Sequence, residues 1–306
     1  YHLGWLDAQG NATSVYPGKQ LRPTLLLLAA EAAGGEVAAA MPAAAAVELL
    51  HNFSLIHDDV QDRSPERRYR PVVWSIWGTA QAINAGDAMH AVAARALLRC
   101  AERGAAAEDV LEVAALLHEC CLRLVEGQYL DLDYESRDDV SIDDYLTMIS
   151  GKTGALIATS VEIGALLGGG RAARGQWREF GEQIGRAFQI VDDVLGVWGD
   201  PAVTGKPAAD DVVRGKRALP FLLALARLAE PERARLAELY RLPERGGAAV
   251  GEAIGLIDRA GARAECELSA RRHVENGLAA LARTGASGRG AEELAALARF
   301  VVSRPR

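Results

Sequence analysis

The stretch Glu48-Leu-Leu-His-Asn-Phe-Ser-Leu-Ile-His-Asp-Asp-Val-Gln-Asp62 sets an apolar run against three carboxylates at its end. Its apolar residues recur at three- and four-residue spacings, the period of a buried helix face. Asp58 and Asp62 are four apart, so both project from one face, one turn apart. Like charges at that spacing repel, and the negative end of the helix dipole adds to the cost. A hard cation would compensate, and magnesium commonly binds through one or two carboxylates plus substrate phosphates. A solvated acidic helix end explains one such cluster equally well. The apolar helix behind this one, with Arg67 and Arg68 just beyond it, favours the metal.

The arrangement returns at Phe188-Gln-Ile-Val-Asp-Asp-Val-Leu-Gly-Val-Trp-Gly-Asp200, where Asp192 and Asp193 follow another apolar run and Gln189 precedes Asp192. A carboxylate at position 196 would complete the earlier spacing, but the residue is Gly196. Two such clusters are hard to explain as solvated faces. If the helices pack side by side, the facing carboxylates destabilise one another unless cations lie between them.

Outward from these helices, period-two alternation is almost absent and helical spacing persists. The periodicity predicts helices at 20–33, 42–62, 79–103, 108–135, 142–167, 175–198, 217–229, 231–240, 247–259, 262–283 and 290–302. Pro42 suits the first turn of the second helix, Gly168-Gly169-Gly170 reads as a hinge-like break, and the segment 200–215 reads as a loop. No long linker or short-period repeat divides the chain, which predicts one all-α domain over residues 1–306.

Half of the residues are hydrophobic but only 6% are aromatic, which suits tightly packed Ala- and Leu-rich helices. The net charge of −7, with scattered basic residues, argues against nucleic acid. Cys100, Cys120, Cys121 and Cys266 lack metal-ligand spacing and read as free thiols. No uninterrupted apolar run reaches membrane-spanning length and no signal peptide is evident, so a cytoplasmic protein is expected. The chain opens at Tyr1 without a methionine, so an upstream segment is expected.

The basic motifs are ordinary singly and informative together. Lys19 and Arg22, three apart before the first helix, can reach one anion beside its backbone amides. Lys152-Thr153 follows Gly151 inside an apolar stretch, and Lys206 lies in Thr204-Gly-Lys-Pro207 with Asp211 and Lys216 beyond. Metal ions would join one diphosphate to the carboxylates. A second diphosphate needs its own cations, which Lys19, Arg22 and Arg68 supply.

In this order Gly18–Pro23, His51–Asp62, Arg67-Arg68, Asn84–Asp87, Gly127-Gln128 with Asp131, Lys152-Thr153, Gln189–Asp193 and Thr204–Lys216 resemble the trans-isoprenyl diphosphate synthases, or polyprenyl synthetases. The actinobacterial members are most similar. The resemblance covers nearly the whole chain and implies a helical bundle around a central apolar cavity, usually a homodimer. It implies that Asp58, Asp62 and Asp192 hold three magnesium ions on an allylic diphosphate, aided by Arg67, Lys152 and Lys206. Lys19, Arg22, His51 and Arg68 would hold isopentenyl diphosphate, with Lys216 also in the substrate-binding set. Thr153 and Gln189 would offer oxygens to the carbocation. Gly196 and Tyr69 depart from the family pattern.

Phe53 lies five residues before Asp58, roughly 7 Å deeper at 1.5 Å per residue. In similar enzymes an aromatic residue there, beside a small one such as Ser54, accompanies a twenty-carbon product, so geranylgeranyl diphosphate is expected. An ordinary core Phe53 is the competing reading. The alternatives are a farnesyl or longer polyprenyl diphosphate synthase, a class I terpene cyclase, and a non-catalytic partner subunit. A cyclase has no use for the second set of cations, and a partner subunit would be inactive alone.

Overall fold

Ala- and Leu-rich periodic segments form helices nearly where their spacing predicts. The computed structural model describes residues 1–13, 20–67, 70–201 and 209–303. In chain order come α1 (Leu21–Ala32), α2 (Val37–Gln61), the hairpin β1 (Glu66–Arg67) and β2 (Arg70–Pro71), α3 (Val73–Trp77) and α4 (Thr79–Leu98). They continue with α5 (Ala107–Glu135), α6 (Ile142–Ile149), α7 (Ala155–Leu167), α8 (Arg174–Trp198) and α9 (Asp210–Arg214). The last are α10 (Leu219–Arg227), α11 (Glu232–Arg241), α12 (Gly247–Arg259), α13 (Ala262–Arg283) and α14 (Arg289–Ser303). Among the described residues the one sheet is that antiparallel hairpin, so the fold is all-α.

The differences from expectation have local causes. α2 starts at Val37, which puts Pro42 inside the helix rather than in its first turn. Pro42 cannot donate to the Ala38 carbonyl, but Ala38 is exposed and its carbonyl can turn to water. The segment expected as one helix over 142–167 is broken at Ser150–Gly154 by a π-helical turn. Ser141 starts α6 with a capping box, accepting from the Asp144 amide at 3.1 Å while Asp144 accepts from the Ser141 amide at 2.9 Å. The expected loop at 200–215 contains the short helix α9.

The described residues belong to two compact units. The first comprises Tyr1–Cys121, Thr159–Arg178 and Arg283–Leu294, and the second Leu122–Ala158, Glu179–Ala282 and Ala295–Arg306. In the first, α2 packs chiefly along α4 and α1, and Ile56, Val73 and Ala82 are buried together beside α2's acidic end. In the second, Tyr145, Ile149, Ile190, Val194, Phe221 and Tyr240 belong to one apolar cluster. Among the described residues only α2 is long and apolar enough to cross a bilayer, and more than half of that stretch is buried inside the protein. α2 is therefore a core helix. All four cysteines are free thiols, as their spacing predicts.

Candidate active site

In the first unit α2 delivers its three carboxylates into different environments. Asp62 is exposed, Asp58 half-buried and Asp59 buried. The helix closes with the Asp62 amide donating to the Asp58 carbonyl at 2.8 Å. Periodicity explains the contrast: Asp58 and Asp62 share a face, whereas Asp59 is turned towards the interior.

The hairpin answers the charge on Asp59. Arg67 Nε donates to Asp59 Oδ1 at 2.9 Å, and Arg67 Nη2 lies 2.8 Å from the same oxygen. Pro65 O holds the hairpin by accepting from Val72 N and Ser75 Oγ, both at 3.0 Å, while Trp74 Nε1 donates to Ser64 O at 2.8 Å. Burial pushes the Asp59 carboxyl above its ordinary range, and Arg67 opposes that shift. Asp59 Oδ2 is buried and has no hydrogen-bond partner among the described residues. Arg67, expected at a diphosphate, is thus engaged with the carboxylate between the two expected metal ligands.

One turn before this cluster, the ring of Phe53 meets His57 edge-on at 5.0 Å and His90 of α4 at 5.3 Å between centroids. Ser54 Oγ donates back to His51 O at 2.8 Å, so its hydroxyl is satisfied within α2. His51 and Arg22 are half-buried. Arg22 lies in the first turn of α1, whose cap residue Gln20 adopts φ 42° and forms no side-chain cap. The helix start therefore offers backbone amides to an anion.

The second unit holds the remaining described candidates. Lys152 and Thr153 sit on the π-helical turn between α6 and α7, a widened turn often found at functional sites. Lys152 Nζ donates to Asp131 of α5. Burial alone would raise the Asp131 carboxyl, but Lys216 and Lys152 outweigh it and hold it below the usual range. Gly127, one turn before Asp131, lets α5 approach that turn. A Cβ on it would stand 2.7 Å from the Gly151 carbonyl carbon and 2.8 Å from Lys152 Cα.

Thr153 Oγ1 donates to Gln189 Oε1 of α8 at 2.7 Å, which pairs these two candidates as the resemblance implies. Gln189 Nε2 donates to Asp193 Oδ1 at 2.8 Å. Asp193 is buried and also accepts from Tyr145 OH at 2.6 Å and the Leu219 amide at 3.3 Å. Burial pushes its carboxyl up, while Lys216, Tyr145 and Gln189 pull it back. Asp192 is half-buried on the neighbouring face. The sequence signal for Asp193 was only its adjacency to Asp192, and nothing local marked Tyr145.

Gly196 has a steric reason. A Cβ there would overlap the Asp211 carboxylate, approaching Oδ1 to 3.0 Å and its other carboxyl atoms more closely. Asp211 on α9 thus fills the place where a side chain at 196 would begin. Installing the family's usual carboxylate as Gly196→Asp should therefore destabilise the protein, by about 1–3 kcal/mol from overpacking and like charge. Thermal unfolding checks this, and an unchanged midpoint would contradict it.

Lys19, Arg68 and Lys206, like Tyr69, lie outside the described residues. No three His, Cys, Asp or Glu side chains converge into a metal cage among the described residues. The donors present still suit magnesium. Asp58 with Asp62, and Asp192, are hard oxygen ligands near exposed surface, and magnesium completes its shell with water and phosphate oxygens.

The polyprenyl synthetase family matches residues 4–257. The (2E,6E)-farnesyl diphosphate synthase of Mycobacterium tuberculosis is 43% identical over 99% of this chain and 84% of its own length. The geranylgeranyl diphosphate synthase of the same organism is 41% identical over 92% of this chain and 79% of its own. The crystal structure of polyprenyl synthetase from Streptomyces coelicolor superposes with a TM-score of 0.90 at 39% identity, covering 98% of this chain and 90% of that one. Breadth of match, all-α fold and carboxylate-bearing helices agree: the chain belongs to the polyprenyl synthetase family of trans-prenyltransferases.

Proposed function

We propose that this chain joins isopentenyl diphosphate to an allylic diphosphate, head to tail, with magnesium, and that its main product is geranylgeranyl diphosphate. The observation that carries the reading is the division of labour on α2. The middle carboxylate is tied into the fold by Arg67, while Asp58 and Asp62 stand one turn apart on one face of the helix end.

Asp58 and Asp62 in the first unit, and Asp192 in the second, are the proposed ligands. Bound magnesium would supply Lewis-acid stabilisation of the departing diphosphate. Lys152 adds a cation held in place by Asp131, with Lys206 and Arg67 in the same role and Lys216 nearby. Arg22 and His51, with Lys19 and Arg68, hold isopentenyl diphosphate beside the uncapped start of α1. Thr153 and Gln189 turn oxygen towards the electron-poor carbon. These groups act by preorganised electrostatics, which need no rearrangement as charge develops.

One catalytic domain working as a cytoplasmic homodimer fits this reading. Leu111, Leu122, Val125 and Tyr129 of α5 are exposed and recur at helical spacing along one stripe. A second copy of the chain is the proposed cover for that stripe.

Phe53 is the proposed floor for the growing chain. Its ring, wedged by His57 and His90, cannot swing aside without disturbing both. Phe53→Ala should move products beyond twenty carbons, by one isoprene unit or more, and an unchanged profile would discard that role. A farnesyl product is the second reading, favoured by the 43% identity to the enzyme named for it. Mass analysis of products from isopentenyl diphosphate with dimethylallyl, geranyl or farnesyl diphosphate tests the whole proposal. Elongated diphosphates from each are expected. Hydrocarbons from an allylic diphosphate alone would indicate a cyclase, and no product at all a partner subunit.

A further inference from the structure

The buried network on α6 and α8 has a polarity that Asp193 dictates. A carboxylate accepts hydrogen bonds and offers none. Asp193 Oδ2 takes Tyr145 OH at 2.6 Å and the Leu219 amide at 3.3 Å, and Oδ1 takes Gln189 Nε2 at 2.8 Å. The amide of Gln189 therefore has one favourable orientation, because a flipped amide would set Oε1 against a carboxylate oxygen. With its nitrogen committed, Gln189 presents Oε1 to Thr153, whose hydroxyl donates at 2.7 Å. A hydroxyl has one hydrogen and two lone pairs. Once that hydrogen is spent on Gln189, only lone pairs remain on the other side of the Thr153 oxygen.

We propose that Asp193 is a positioning residue for the prenyl transfer: it sets the hydrogen-bond direction through Gln189 so that Thr153 presents lone pairs, and never its hydroxyl hydrogen, to the developing allylic cation. The proposal rests on the reading above that Thr153 faces that cation. It separates the two neighbouring aspartates by role. Asp192, half-buried, is the proposed metal ligand, whereas Asp193, buried beneath Tyr145, acts through two side chains without touching metal or substrate. Tyr145 and the Leu219 amide hold the carboxylate from behind.

The test reverses the polarity and then restores it. In Asp193→Asn the amide oxygen keeps Tyr145 and Leu219, so its nitrogen faces Gln189. Gln189 then turns its oxygen to residue 193 and its nitrogen to Thr153, which becomes an acceptor with its hydrogen pointing outward. We expect kcat to fall by about 10²-fold, the scale of one misdirected preorganised dipole. KM for the allylic diphosphate and the magnesium midpoint should stay within roughly twofold. The double variant Gln189→Glu with Asp193→Asn exchanges the two groups and rebuilds every hydrogen bond in its original direction. It should recover kcat to within about tenfold of the parent.

A folded double variant that stays as slow as Asp193→Asn overturns the proposal. So does a shifted magnesium midpoint with normal kcat at saturating metal, which would make Asp193 a metal ligand. Should Asp193→Asn fail to fold, the double variant decides alone, since folded and active supports the proposal and folded and inactive refutes it. Thr153→Val separates the premise from the inference. Unchanged kcat in that variant removes Thr153 from the cation and the proposal with it. Slow Thr153→Val beside normal Asp193→Asn leaves the cation reading standing and refutes only the role of Asp193.

Discussion

Asp58→Ala should lower kcat by about 10³-fold while leaving the folded protein at least as stable as the parent. The first effect follows from the loss of a metal ligand at a departing diphosphate, where preorganised charge carries much of the rate enhancement. The second follows from electrostatics in the absence of metal. Asp58 stands one turn from Asp62 at the negative end of the α2 dipole, so its removal relieves repulsion. Asp59→Ala should behave in the opposite sense. Asp59 is buried and ion-paired with Arg67, and its loss strands that guanidinium, at a cost of about 3 kcal/mol. Thermal unfolding and steady-state rates on the two variants separate these outcomes. Equal losses of stability in both would remove the distinction between ligand and anchor.

The second large effect is expected at Gly127→Ala, which adds one methyl group far from any expected metal ligand in sequence. That methyl would meet backbone, at 2.7 Å from the Gly151 carbonyl carbon and 2.8 Å from Lys152 Cα. Backbone atoms of a packed turn cannot rotate aside as a side-chain end can, so α5 and the π-helical turn must separate. Overpacking of this kind costs about 3 kcal/mol. The same displacement pulls Lys152 from Asp131 and Thr153 from Gln189, so turnover should fall with stability. Denaturant unfolding measures the first and product formation the second. Normal values for both would show that the turn has slack.

The helices were legible because period and burial are the same signal. The predicted 108–135 and 175–198 are the observed α5 (Ala107–Glu135) and α8 (Arg174–Trp198) within one residue at each end. The acidic helix ends were legible because carboxylates ending apolar helices contradict local stability and so point to an external cation. What periodicity cannot report is which distant group satisfies a buried polar atom. The Tyr145–Asp193 hydrogen bond joins residues 48 apart in the chain, and nothing near either residue announces it. Arg67 was legible as a cation beside carboxylates, but its choice of Asp59 follows from a hairpin with no strong strand signal. Gly196 looked like a lost ligand. Only packing against Asp211 supplies its reason. The π-helical turn was hidden because its residues keep helical spacing on both sides.

The central claim is that the carboxylates of α2 and α8 act on one allylic diphosphate through magnesium. It is tested most directly by binding an unreactive allylic diphosphate analogue, with and without magnesium, to the parent chain, to Asp58→Ala, to Asp192→Ala and to the double variant. Each single change should weaken magnesium-dependent binding by about tenfold or more, and the double variant should lose less than the two losses added together, because both sets serve one ligand. Binding that is equally tight without magnesium, or losses that simply add, would contradict it.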